Sequence, residues 1–300
     1  MNMNSEQQYI DLYQSHRDTV HRHAPACMNA LRDRALEDLR REGFPTVASE
    51  YYKYTDMQAA FAPDYGLNLD RRPVDVNTAD LFRCNVPNLS ATPCFVINDS
   101  FYSDGRLEAS LPAGVYVGSI AGFAERHPEQ AARYYGQAAH TNHDAIAALN
   151  TLFAQDGLVV YVPAGVALEQ PVQLINLFRS AERLMANRRI LFVVEDGASA
   201  KLLVCDHSMG DTDFLSTEVI EIFAGRDAVV DYYDLEESSI RTRRFSSLFV
   251  EQEAGSNVLV NGITLNNGQT RNNYRARING EHAELTLCGM AIEDREQRVD

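Results

Sequence analysis

Five stretches between Gly157 and Ile292 decide the fold: LVVYVPAGVALEQPVQLI (158–175), ILFVVEDGASAKLLVC (190–205), VIEIFAGRDAVVDYYDL (219–235), LFVEQEAGSNVLVNGITL (248–265) and YRARINGEHAELTLCGMAI (274–292). Each is a pair of short apolar runs around a glycine-containing turn. The turn glycines are Gly165, Gly197, Gly225, Gly255 and Gly280, spaced by 32, 28, 30 and 25 residues. A recurrence of this length marks a solenoid, in which each unit leaves an apolar face that only the next unit covers. The runs alternate with a period of two. Tyr274, Ala276 and Ile278 fall on one face, Arg275, Arg277 and Asn279 on the other; Ala283, Leu285 and Leu287 then alternate with Glu284 and Thr286. Ile190–Val194 and Val219–Phe223 are apolar on both faces, which predicts strands covered on both sides. A β-sandwich would also show many short strands, but with turn signals about every 8–12 residues. The longer repeat favours a β-solenoid.

Outward from the repeat, residues 5–42 read as helix, with Met28, Leu31, Ala35 and Leu39 on one face and a stop at Gly43 and Pro45. Residues 44–100 are rich in turns and proline, with short strands at LFRCNVP (81–87) and PCFVIND (93–99). A strand pair around LPAGVYVG (111–118) opens the solenoid, and a helical interruption follows near 124–156. There Pro128 sits in a first helical turn, and a second helix begins at Thr141 or Asn142 as N-cap and ends at Gly157. The expected organisation is an N-terminal helical domain with connecting segment (1–90) and a β-helix core (91–300).

Twenty-seven basic residues against 42 acidic ones leave a formal charge of −15, which disfavours a nucleic-acid partner. No apolar run is long enough to span a bilayer, and the N-terminus MNMNSEQQYIDLYQSHRD is polar, unlike a signal peptide. Five scattered cysteines (Cys27, Cys84, Cys94, Cys205, Cys288) fit a reducing compartment, so the cytoplasm is expected.

Three sets of residues are candidates for chemistry. His140 and His143 form an HxxH pair at a helix start, without the glutamate of a zinc protease motif; as cap residues they need no metal. Cys205 and His207 share a strand face with Leu203, and Cys288 lies in a later unit. Thiolate and imidazole suit zinc or iron, although free cysteine also behaves as a small core hydrophobe. The carboxylates Glu195, Asp196, Glu218, Glu221, Asp231, Asp234, Glu236 and Glu237 would supply a polysaccharide-cleaving pair if two met on neighbouring layers; otherwise they make a solvated acidic surface. No nucleotide or nucleophile fingerprint is present. The residues alone therefore assign no catalytic, cofactor-binding or metal residue, and leave a carbohydrate-active β-helix enzyme (polysaccharide lyase or hydrolase) as one reading.

A resemblance sharpens this. Gly43, Phe44 and Pro45, then Glu50, Tyr52, Lys53, Tyr54 and Thr55, are similar to the G-[LF]-P…E-x-W-[KR]-Y-T element of SufD-type subunits of the SufBCD iron–sulfur cluster assembly complex, with Tyr52 in place of tryptophan. DAIAALNTLFAQDGLVVYVPAGVALEQPVQL (144–174) and AELTLCGMAIEDREQRVD (283–300) also resemble that family. The resemblance implies a right-handed parallel β-helix after an N-terminal helical domain, and a non-enzymatic scaffold. Its implied partners are homologues of SufB and of the ATPase SufC; a homodimer in their absence is left open. No cofactor is expected on this chain alone; an iron–sulfur cluster is expected only in the assembled complex. Family members run well past 300 residues, so the chain is expected to be truncated, without the later β-helix turns, the histidine-bearing stretch that forms clusters with SufB and the C-terminal helices that engage SufC.

Overall fold

The computed structural model describes residues 4–72, 91–103, 107 and 110–300. Its helices are α1 (Ser5–Arg22), α2 (Ala26–Asn29), α3 (Arg32–Glu42), α4 (Met57–Phe61), α5 (Ile120–Arg126), α6 (Pro128–Tyr134) and α7 (Ala145–Phe153), with a 3-10 turn at Glu50–Tyr52. The strands are β1 (Thr92–Ile97), β2 (Ser100–Tyr102), β3 (Tyr116–Ser119), β4 (Leu158–Val162), β5 (Val172–Arg179), β6 (Leu184–Val194), β7 (Ser199–Met209), β8 (Phe214–Ala224), β9 (Val229–Glu237), β10 (Thr242–Gln252), β11 (Asn257–Asn266), β12 (Gln269–Ile278), β13 (Glu284–Ala291) and β14 (Arg298–Val299).

From β4 onward the chain gives alternate strands to two sheets, one ordered β13-β11-β9-β7-β5-β1-β2 and the other β14-β12-β10-β8-β6-β4-β3. Pairing along each stack is parallel, so each coil lies on the one before it and the sandwich reading is excluded. The register places like residues in columns. One wall carries Leu158, Ile190, Ile220, Leu248 and Tyr274, the facing wall Val172, Leu202, Tyr232, Val260 and Leu287. Through Leu248 and Val260 these columns belong to one apolar core, whereas Tyr274 and Leu287 on the last coil are about half exposed. The first coil is closed by antiparallel strands, β2 on β1 and β3 on β4, which end the parallel ladder at that side.

The turn column differs from the glycines picked out by sequence. The left-handed position is held by Gly165, Gly197, Asp227, Gly255 and His282, with φ between 54° and 72°. Backbone N–H groups of the first four donate to the next turn at 2.7–3.0 Å, so the ladder continues through the corner. Gly225 and Gly280 do other work. A Cβ on either would come within 2.6 Å of the preceding turn's backbone, at Asp196 and Ala254 respectively.

The helices pack on the outer face of the β4–β14 sheet. Tyr9, Tyr13, Phe61 and Phe153 meet Met185, Leu215 and Phe245 there. The expected single helix over 5–42 is three pieces, because Pro25 supplies no N–H and opens α2 instead. Pro128 does start a helix, but the cap of α7 is Asp144, which accepts from the Ala147 N–H at 2.8 Å, and α7 stops at Phe153. LFRCNVP and Cys84 lie outside the described residues.

A buried ion pair pins the helices to the sheet. Arg189 Nη2 donates to Glu221 at 2.8 Å, and both side chains are fully buried. Glu221 also accepts from the backbone N–H groups of Gly136, Ala138 and Ala139 at 2.9–3.1 Å. Removing one partner leaves the other charge buried and uncompensated, so Glu221→Ala should lose about 3–5 kcal/mol in urea unfolding; a loss within experimental error would show that this pair does not fasten the helices.

Candidate functional site

Strand parity carries charged residues into the solenoid. On the wall formed by β6, β8, β10 and β12, one inward column runs Arg188, Glu218, Ser246, Asn272 and the next Ala186, Ser216, Arg244, Thr270. Facing them are Asn176, Asp206, Glu236 and Thr264, with Asp234 in the adjoining column. Asp206, Glu218, Asp234 and Glu236 thus meet Arg188 and Arg244 at the end of the core away from the apolar columns.

Arg188 Nη1 lies 2.8 Å from Asp206 Oδ1 and 3.1 Å from Glu218 Oε1, while its Nε donates to the Asn98 carbonyl at 2.9 Å. Arg244 is the hub. Its Nε is 2.9 Å from Glu218 Oε2 and 3.4 Å from Asp206 Oδ2, its Nη2 binds Asp234, and its Nη1 sits 3.6 Å from Glu236. Glu236 also accepts from Thr270 Oγ1 at 2.8 and 2.9 Å and from Ser238 Oγ at 3.1 Å. All six charged groups are buried.

Two guanidinium charges cannot balance four carboxylates away from water, so a proton is retained. Burial, reinforced by Glu218, pushes Asp206 up to about 8. Burial also raises Asp234 and Glu236 against the opposing pull of Arg244. It pushes Glu218 up too, but there Arg244 and Arg188 together prevail and hold that carboxyl below its ordinary value. The arrangement stores a proton at Asp206 and ties three successive coils together through Arg244. Closed inside the solenoid, it offers no carboxylate to a bulky substrate.

A groove of about 630 Å³ opens where the helical region meets β12, lined by Tyr51, Tyr52, His143, Arg271, Asn273 and Arg275 among others. Here the quoted E-Y-Y-K-Y-T element is clamped to the solenoid. The Arg271 guanidinium stacks 3.7 Å from the Tyr52 ring centroid and donates to the Tyr51 carbonyl at 2.6 Å. Asp300 joins Arg271 to Thr55. Arg275 binds Asp144, the cap of α7.

The sequence-picked residues fall as follows. Cys205 is buried on an outward row with Leu235, Ile263 and Met290, whereas Cys288 is in the next row beside Asn261, three strands away, about 14 Å at the usual strand spacing. Gln173 Nε2 donates towards the Cys205 sulfur at 3.7 Å, and His207 Nδ1 lies 3.9 Å from Glu237. Cys205, His207 and Cys288 do not converge, and among the described residues no three His, Cys, Asp or Glu side chains gather as a metal site. His140 faces Arg277 at 3.4 Å and His143 faces Glu42 at 3.6 Å, both on the surface. The solvated acidic surface expected of the carboxylates holds only in part. Asp196 and Glu237 are outside and Asp231 pairs with Lys201 at 2.7 Å, while Tyr134 donates to Glu195 at 2.7 Å. Glu218, Glu221, Asp234 and Glu236 are buried, so none of these four is open to a polysaccharide. Arg188, Asp206 and Arg244 were missed; for Arg188 and Asp206 the signal is inward parity beside apolar residues such as Ile190 and Val204, whereas Arg244 stands between Thr242 and Ser246 at that parity.

Because the folded value of Asp206 lies above its ordinary 3.8, the native chain keeps a proton there that the unfolded chain has released. That contribution to stability is whole below about pH 4 and is lost as pH rises through about 8. Asp206→Asn stays neutral throughout. The difference in thermal midpoint between variant and wild type should therefore move in the variant's favour as pH rises from about 5 to about 8, and parallel profiles would contradict the stored proton.

Comparison with known proteins covers nearly the whole chain. The SufBD protein N-terminal region matches residues 3–174, and the SufBD core domain of SUF-system FeS cluster assembly matches residues 177–300. Protein ABCI7, chloroplastic, of Arabidopsis thaliana is 24% identical over 288 residues, 91% of this chain and 58% of that protein. The iron–sulfur cluster assembly SufBD family protein slr0076 of Synechocystis sp. is 24% identical over 257 residues, 83% of this chain and 56% of its own length. A second Synechocystis SufBD family protein, slr0074, is 33% identical over 121 residues, 40% of this chain and 25% of that protein. The chain thus spans little more than half the length of the first two.

Proposed function

The chain belongs to the SufBD family of iron–sulfur cluster assembly proteins, and from that premise we propose that it is a non-catalytic scaffold subunit of a cluster-assembly complex. It pairs with a homologous SufB-type subunit and with a SufC-type ATPase. The observation that carries this reading is the pair of consecutive family matches over 3–174 and 177–300. Support comes from the fold. Its interior charges are locked in mutual ion pairs, so among the described residues the stack of parallel strands carries no open charged site in its core.

In this reading the iron–sulfur cluster is cargo, assembled on the complex rather than resident in this chain. Among the described residues Cys27, Cys94, Cys205 and Cys288 form no disulfide, in keeping with a reducing compartment, and we place the protein in the cytoplasm. Among the described residues no helix is long and apolar enough to cross a membrane.

Affinity purification of the tagged full-length protein from its native cells, under anaerobic conditions, tests the proposal. SufB- and SufC-type proteins should co-purify, and iron and sulfide should accompany the complex but not the isolated chain. Recovery of neither partner would overturn the scaffold reading, and iron bound stoichiometrically to the isolated chain would overturn the assignment of the cluster to the complex.

A further inference from the structure

Arg243, Gln269 and Arg298 occupy one register row on β10, β12 and β14. Earlier in the same row stand Met185 and Leu215, buried beneath the helices. Where the row emerges from that cover, its outward chemistry changes from apolar to cationic. Two adjoining clefts of about 500 and 440 Å³ share Arg243, Gln269 and Arg298; Lys53 and Tyr54 wall one, Ile240 and Arg241 the other.

The acidic groups at the rim are largely engaged. Asp56 caps α4 by accepting from the Ala59 N–H at 3.0 Å, and Asp213 is held by Arg183 at 3.1 Å and Arg241 at 2.8 Å. Glu296 stands at the far side. Arg243 donates to the Tyr65 hydroxyl at 2.8 Å, yet among the described residues neither Arg243 nor Arg298 meets a carboxylate. Lys53 rides over the Tyr54 ring at 4.9 Å, and Tyr54 and Ile240 are more than half exposed. Arginine beside exposed aromatic and apolar side chains is the composition of an interface hot spot. On a chain of net charge −15, a cationic trough complements an acidic partner that the remaining surface repels.

We propose that this trough docks an acidic peptide segment of a partner protein, its carboxylates on Arg243 and Arg298 and its apolar side chains on Tyr54 and Ile240. A nucleic acid fits less well, because Asp56, Asp213 and Glu296 interrupt the positive charge that a run of phosphates would need. The site stands on its own charges and goes beyond the scaffold reading, which can fail without it.

Fluorescence anisotropy of a fluorescein-labelled peptide of alternating Glu and Leu, titrated with the full chain, tests the proposal. Saturable binding should weaken with salt and fall about tenfold or more in the combined Arg243→Gln and Arg298→Gln variant. Arg298→Gln alone, which breaks no hydrogen bond or ion pair among the described residues, should weaken it in the same direction. Arg226→Gln, on an exposed turn at the other end of the strands, should leave it unchanged. Absence of saturable binding, equal loss in Arg226→Gln, or tighter binding of duplex DNA or ATP at the same arginines would each overturn it.

Discussion

Every feature of this molecule depends on one constraint, the parallel stacking of backbone on backbone at about 4.8 Å per coil. Once the ladder is in register, a residue's nearest neighbour is not beside it in sequence but one coil later. Ile190 touches the column of Ile220 and Leu248, and whatever a position holds is judged by what stands above and below it. Columns of branched apolar residues satisfy that demand without further help. Columns of charge do so only if opposite charges fall at the same height, and the interior arranges this with Arg188 and Arg244.

The interior network is costly to bury, and replacing such a cluster by apolar side chains is often neutral or stabilising in other proteins. Here two arginines serve four carboxylates on three coils, so losing one arginine would strand several acids at once. A proton retained on Asp206 reduces the remaining imbalance from two charges to one. The same logic, on the outer face, puts Glu221 among three backbone N–H groups and Arg189, where a loop between helices would otherwise leave its donors unmet.

The helical region uses the outer face of one sheet as its floor, and the E-Y-Y-K-Y-T element closes its edge. Tyr52 and Thr55 are the buried members of that element, stacked on Arg271 and tied to Asp300, whereas Tyr51 and Tyr54 face outward. One short motif therefore fastens the helices to β12 with its inner residues. Its outer residues frame the groove beside Arg275 and the trough beside Arg243.

By itself the sequence determined the period, the strand parity and the family. Apolar alternation at Tyr274–Ile278 and doubly apolar runs such as Ile190–Val194 are local facts, legible because a strand's two faces alternate whatever it packs against. Tertiary structure decided which coil height each residue reaches. Asp227 and His282, not Gly225 and Gly280, hold the left-handed turn because the corner is defined by the coil stacked on it. Glu218 and Asp234 became interior while Asp231 stayed outside, and Cys205 was separated from Cys288, because strand lengths and turn offsets accumulate from coil to coil. Such offsets arise from contacts between residues about thirty positions apart, a range over which no local pattern in the chain carries information.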